Sequence, residues 1–289
     1  MRISLQNIRS DHGGFLRLVE LAAQTDDAIF EEIAIDFAGI NWIDANMCAP
    51  LGAILYKISR QANSLSLENI PESIRKILSK NGFLSNYGGE KKPDTYHTTI
   101  EYKRFESKDD KYFATYVEQH LVGKGLPKMS TGLQKKFREA IYEIFNNAVT
   151  HSETELGIFS CGQYFPQARR FDFSIADLGI GMKENVKRNA GLDFSAEEAI
   201  RWATEARNTT KRGSIPGGLG LKLLCEFIKL NEGRIQIVSD AGFWQLEKST
   251  VTTTPLPVAF PGTVVNVEIN TRDTNTYRLT SEVGSKNVF

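Results

Sequence analysis

Residues 139–152 read EAIYEIFNNAVTHS, and the rest of the chain is best understood outward from them. Phe137, Ile141, Ile144, Phe145 and Ala148 recur at three- and four-residue steps, the apolar stripe of an amphipathic helix. Glu143, Asn147 and His151 follow one another at four-residue spacing, with Glu139 one step earlier. Residues four apart advance by about 40° around a helix, so these three form a gently spiralling polar row. Glu143 lies at the margin of the apolar stripe, where a carboxylate can point into a crevice. Taken alone, a solvated helix face accounts for the row just as well.

Two other segments bear on that choice. FDFSIADLGIGM, residues 171–182, is a hydrophobic strand ending in Asp177, followed by Gly179 and Gly181. The chain turns sharply there, and a missing Cβ lets something flat approach the backbone. A dinucleotide fingerprint needs a third glycine at position 184, which is Glu184, so that reading fails on spacing. SIPGGLGLKLLCEFIKL, residues 214–230, sets Gly217, Gly218 and Gly220 directly before an amphipathic helix. Free amides at a helix start, at the positive end of its dipole, form a natural phosphate cradle.

The global properties exclude several classes. The 289 residues suffice for one large or two ordinary domains. With 41% hydrophobic and 24% charged residues, the composition is that of a globular protein. Lys plus Arg and Asp plus Glu both number 35, so no global charge draws the chain to nucleic acid or an anionic membrane. Cys48, Cys161 and Cys225 are odd in number and far apart in sequence, which argues against a disulfide framework or a zinc site. The most apolar run, Met47 to Tyr56, is too short to cross a bilayer and contains Pro50. The N-terminus is polar rather than a signal peptide. A cytosolic protein is expected.

The first ninety or so residues alternate strand and helix, which indicates an α/β layer with a mixed or parallel sheet. SNYGGEKKPDTYH, residues 85–97, breaks that pattern and is the best candidate for a domain boundary. Beyond it come a strand, a helix from Tyr112 to Leu121, the long helix, two strands, a polar segment from Lys183 to Pro216, a helix from Leu219, and two final strands, GRIQIVSD and GTVVNVEIN. The tail beyond Arg272 is polar and expected to fray.

Together and in this order, the three segments resemble the GHKL ATP-binding domain. That family includes type II topoisomerase ATPase domains, MutL, the heat-shock chaperone ATPase, histidine kinases and anti-sigma serine kinases. Residues 139–151 look like its helix motif, DLGIGM like its D-x-G-x-G box and GGLGL like its second glycine box. PGTVVNVEI, with Gly262 and Thr263, looks like its closing G-T strand. Pro216 stands where many kinases have the first glycine of that second box. The resemblance implies an α/β fold in which residues 97–272 form a Bergerat α/β sandwich, a mixed sheet with helices on one face. It also implies ATP and Mg²⁺. Asp177 would accept from the adenine amino group beside Gly179 and Gly181, Asn147 would ligate magnesium, and Gly218, Leu219 and Gly220 would hold phosphates. Lys211 and Arg212 of the lid would balance their charge, while Thr209, Thr210 and Thr263 offer hydroxyls. Glu143 matches the glutamate that activates water in the hydrolysing branches and that typical histidine kinases lack.

Residues 1–92 resemble a STAS domain, and 273–289 remain as the polar tail. Where phosphorylatable members of that family read D-S-S-G, this chain has Asp44, Ala45, Asn46 and Met47, so the residue at the phosphoserine position has no hydroxyl. The resulting expectation is a cytosolic Mg-ATPase acting as a nucleotide-dependent switch, with a protein partner met through the STAS-like part. An anti-sigma-like serine kinase and a non-catalytic nucleotide-binding module are the alternatives. The resemblance leaves a homodimer open.

Overall fold

The computed structural model describes residues 1–205 and 219–282, and the chain is mixed α/β with several sheets. The N-terminal alternation gives β1 (Arg2–Ser4), α1 (His12–Gln24), β2 (Glu32–Asp36), α2 (Cys48–Arg60), β3 (Ser64–Glu68) and α3 (Glu72–Lys80). The three strands pair parallel in the order β1-β2-β3, since each connection is a crossover helix. Helix α1 starts at Asp11, whose side chain accepts the Gly14 N–H at 2.8 Å.

The run around Pro50 explains how this layer is placed. Every residue of α2 from Cys48 to Leu55 is buried, and a helix buried on all sides is an enclosed one. One side packs on the parallel sheet. The other meets a second sheet closely enough that a Cβ on Gly52 would lie 2.2 Å from the Tyr102 Oη.

The second sheet draws on β4 (Thr99–Phe105), β6 (Ile158–Phe165), β7 (Arg170–Asp177), β8 (Arg234–Glu247) and β9 (Thr250–Asn270). Between them run α4 (Asp110–Leu121), β5 (Lys128–Met129), α5 (Thr131–His151), α6 (Gly181–Ala190), α7 (Ala196–Thr204) and α8 (Leu219–Asn231), with β10 (Thr276–Tyr277) at the end. The order is β4-β6-β7-β9-β8, and every pairing is antiparallel. The expected mixed sheet is therefore corrected. β6–β7 and β8–β9 are hairpins, a connection that makes neighbours antiparallel.

Helices also cover both faces rather than one. Phe171, Phe173 and Ile175 of β7 join Phe137, Ile141, Phe145 and Leu224 on one side. Phe159, Cys161, Ala176, Val238 and Val264 face the other way and share a cluster with α1 and α2. Apolar residues at alternate positions on both faces demand cover on both. The stretch 85–97 is largely irregular, yet side chains before and after it belong to that one cluster. Cys48 and Cys161, remote in sequence, meet here, with the Asn81 Nδ2 at 3.4 and 3.5 Å from their sulfurs.

A polar seam runs through this contact. Asn46, only 2% exposed, donates from Nδ2 to Ser10 Oγ at 2.7 Å and to Ser174 Oγ at 3.1 Å. Arg170 donates to Asp44 Oδ1 at 2.9 Å, and Gln236 Nε2 to the Ser10 carbonyl at 3.1 Å. The turn at 44–47 thus faces the back of the five-stranded sheet. Replacing Asn46 by leucine strands the buried Ser10 hydroxyl, takes one of two partners from Ser174, which keeps Asn266, and is expected to cost about 1–3 kcal/mol, read from urea denaturation. An unchanged midpoint would show that the seam does not hold the two layers.

Two further expectations change. The described part of the polar lid is helical, as α6 and α7, the latter opened by a capping box between Ser195 and Glu198. The tail does not fray over its described part. β10 pairs parallel with β5, Tyr277 packs on Phe227 at 5.3 Å, and the Glu282 carboxylate accepts from the Ser130 hydroxyl that caps α5. Two-residue strands carry no readable alternation, which is why this strap is invisible in sequence. No helix among the described residues is long and apolar enough to cross a membrane.

Candidate functional site

A cavity of about 130 Å³ opens between α5, α6, α7, the end of β7 and the interior of β9. Since one water needs only about 10–15 Å³ on this measure, the space admits a small ligand group. Asn147 and His151 of the polar row line it, together with Asp177, Gly181 and Thr263, between apolar walls that include Ile144 and Val265. Four of the five are ligand-binding or metal-binding candidates that the sequence offers on separate stretches. His151 also lines the cavity, and its carbonyl accepts the Asn185 Nδ2 at 3.0 Å.

Strand register builds the floor. Asp177 lies directly opposite Thr263 across the β7–β9 pair, and Thr263 lies opposite Ser239 across β8–β9. Residues opposite one another in an antiparallel pair share a face, so three oxygen-bearing side chains form one row. Asp177 is fully buried, and its Oδ1 accepts the Gly179 N–H at 3.0 Å. Burial pushes its carboxyl up to about 7, against the opposing pull of the Gly179 and Thr263 amides.

The first glycine box works differently from expectation. The site where a Gly179 Cβ would sit is 2.0 Å from the Ser152 carbonyl, so the missing side chain admits protein backbone rather than a flat ligand. Gly181 has φ +75°, the left-handed region, and a Cβ there would come within 2.5 Å of the Asp240 carboxylate. These contacts dock the start of α6. Ile180 offers no capping side chain, and the first amides are satisfied from β8 instead. Met182 N–H donates to Ser239 Oγ at 2.8 Å, and Lys183 N–H to Asp240 Oδ2 at 3.2 Å.

Glu143 points to the start of α8. Its Oε2 accepts the Gly220 N–H at 2.8 Å, and a Cβ on Gly220 would collide with that oxygen at 2.6 Å. A carboxylate there satisfies an orphan amide and complements the helix dipole. Asn147, one turn on, reaches the cavity. Leu219 begins α8, whereas Thr209, Thr210, Lys211, Arg212 and Gly218 lie outside the described residues.

Sequence reasoning missed Ser239, Asn185 and Trp202, the last two lining the cavity. The Ser195–Glu198 pair that opens α7 was a usable signal for Trp202, while nothing local marks Ser239. No family model matches this chain, and no curated protein matches it.

Proposed function

We propose that the chain is a Mg²⁺-dependent ATPase of the GHKL type, preceded by a STAS-like segment that senses its nucleotide state. What supports it most is one convergence: Asn147, Asp177 and Thr263, taken from three distant motifs, line a single cavity. A buried carboxylate at the floor of an otherwise mostly apolar pocket suits an exocyclic amine, which supplies the N–H that burial denies it. Asn147 offers an amide oxygen suited to a hard cation. Among the described residues no group of three or more His, Cys, Asp or Glu could hold a metal, so magnesium here would take its other oxygens from phosphate and water. Bound magnesium would neutralise phosphate charge.

Glu143 is the base. It takes a proton from water as the water oxygen bonds to the terminal phosphorus and the bond to the bridging oxygen breaks, leaving ADP and inorganic phosphate. Asp177 and Ser174 stand on opposite faces of β7, one in the cavity and one in the Asn46 seam, which supports a switch acting within the chain. Titration of ATP with and without Mg²⁺ tests the assignment. Wild type is expected to bind at least about tenfold more tightly with the ion. Asn147→Ala is expected to lose that difference while retaining its fold by circular dichroism, and a retained difference would remove Asn147 from the metal site.

A further inference from the structure

We infer that Ser239 sets the nucleobase specificity of the pocket by fixing the Thr263 hydroxyl as a hydrogen-bond acceptor beside Asp177. The inference rests on the nucleotide reading above and adds a positioning residue to it.

The case is a count of protons. Ser239 Oγ meets the Met182 N–H at 2.8 Å, the Gly262 carbonyl at 3.1 Å and the Thr263 Oγ1 at 2.9 Å, and its hydroxyl also interacts with the Asp240 carboxylate. A hydroxyl donates one hydrogen bond and accepts two. An amide N–H can only donate, whereas a carbonyl and a carboxylate can only accept, so the Ser239 proton goes to Gly262 or Asp240. The Thr263 proton then goes to Ser239. Ser239 is 0% exposed, so water does not supply a substitute partner for its hydroxyl, whereas Thr263 is half-buried and faces the cavity.

Thr263 is left with lone pairs alone for the cavity. Its cross-strand neighbour Asp177 already accepts the Gly179 and Thr263 backbone N–H groups and, when ionised, presents only its remaining lone pairs. Asn185, the nearby amide on α6, gives one of its two Nδ2 hydrogens to the His151 carbonyl. The floor therefore offers adjacent acceptors. A primary amino group, with two N–H donors, complements them, and a ring carbonyl in its place meets lone pairs with lone pairs. The pocket is built to take a 6-aminopurine and to reject a 6-oxopurine.

Removing the Ser239 hydroxyl frees the Thr263 proton to turn into the cavity, where it can serve a carbonyl. Magnesium complexes of ATP and of inosine triphosphate, which differ in this one group, provide the test. Their dissociation constants are measured at pH 8 on the full chain for wild type, Ser239→Ala and Thr263→Val. Wild type is expected to prefer ATP by at least about tenfold, since a site built around a hydrogen bond discriminates strongly against its loss. Both variants are expected to lower that preference by about fivefold or more. A role confined to packing would weaken both nucleotides alike, and an unchanged ratio in folded variants overturns the inference. So does a wild type that binds the two equally. Failure of wild type to bind either overturns the nucleotide reading itself. Should Ser239→Ala not fold, the nearly isosteric Thr263→Val decides alone.

Discussion

Glu143→Gln is expected to slow phosphate release by about 100-fold or more while Mg-ATP affinity stays within about threefold of wild type. The substitution is chosen from the structure. Glutamine keeps a carbonyl oxygen for the Gly220 N–H, so the start of α8 retains its partner. Alanine would remove that partner too, at a cost of about 1 kcal/mol for a lost helix cap, and would mix stability with chemistry. What glutamine cannot do is take a proton. The Gly220 contact has a second consequence, because a phosphate arriving at the start of α8 must compete with the carboxylate for the same amide. Glu143→Gln, whose neutral oxygen is the weaker competitor, is thus expected to bind inorganic phosphate no more weakly than wild type. Equal turnover in wild type and Glu143→Gln would take the general base elsewhere.

Asp177→Asn is expected to act in opposite directions on stability and on binding. The Asp177 carboxyl titrates near 3.8 in an unperturbed chain and is pushed to about 7 in the fold by burial. Between those values the folded protein holds a proton that the unfolded chain has released. Wild-type stability is therefore lost as pH rises from about 4 to about 7, and the loss is complete above it. Asparagine has no charge to bury. The nucleotide-free variant should match wild type near pH 4 and exceed it by up to about 4 kcal/mol at pH 8, since each pH unit between the two titration points is worth about 1.4 kcal/mol. Urea denaturation across that range measures the gap, and a gap that does not change with pH would contradict it. Nucleotide affinity should move the other way, falling by about 10- to 100-fold at pH 8 as a charged acceptor is lost.

Much of this site is legible in the sequence because its parts sit on stretches that carry local signals. Asp177 closes an apolar strand before two glycines, Asn147 interrupts an apolar helix face, and Thr263 heads the valine-rich stretch inside β9. The relation among them is not local. It comes from the register that sets Asp177 opposite Thr263 and Thr263 opposite Ser239. Ser239 looks like an ordinary strand-end serine until that register is known. The hairpin arm was hidden for a different reason. Pro255, Pro257 and Pro261 argue against strand, yet β9 runs through all three and pairs with β8 out to Thr250, with register shifts at Ser239 and Asp240 absorbing the irregularity. Phe243 on that arm reaches α1, with ring centroids 5.3 Å from His12 and 6.0 Å from Phe15. The antiparallel sheet and its second covered face were likewise beyond local pattern, since buried strands read alike in either pairing. One clue was present. An all-round apolar helix at Cys48–Leu55 already required cover on more than one side.

Calorimetric titration of the full chain with ATP and Mg²⁺ at pH 7, repeated in buffers of different ionisation enthalpy, tests the central claim most directly. An amine donating to Asp177 holds that carboxylate ionised, so the account predicts saturable single-site heat accompanied by proton release. Absence of heat up to millimolar nucleotide, or binding with no proton exchanged, would contradict it.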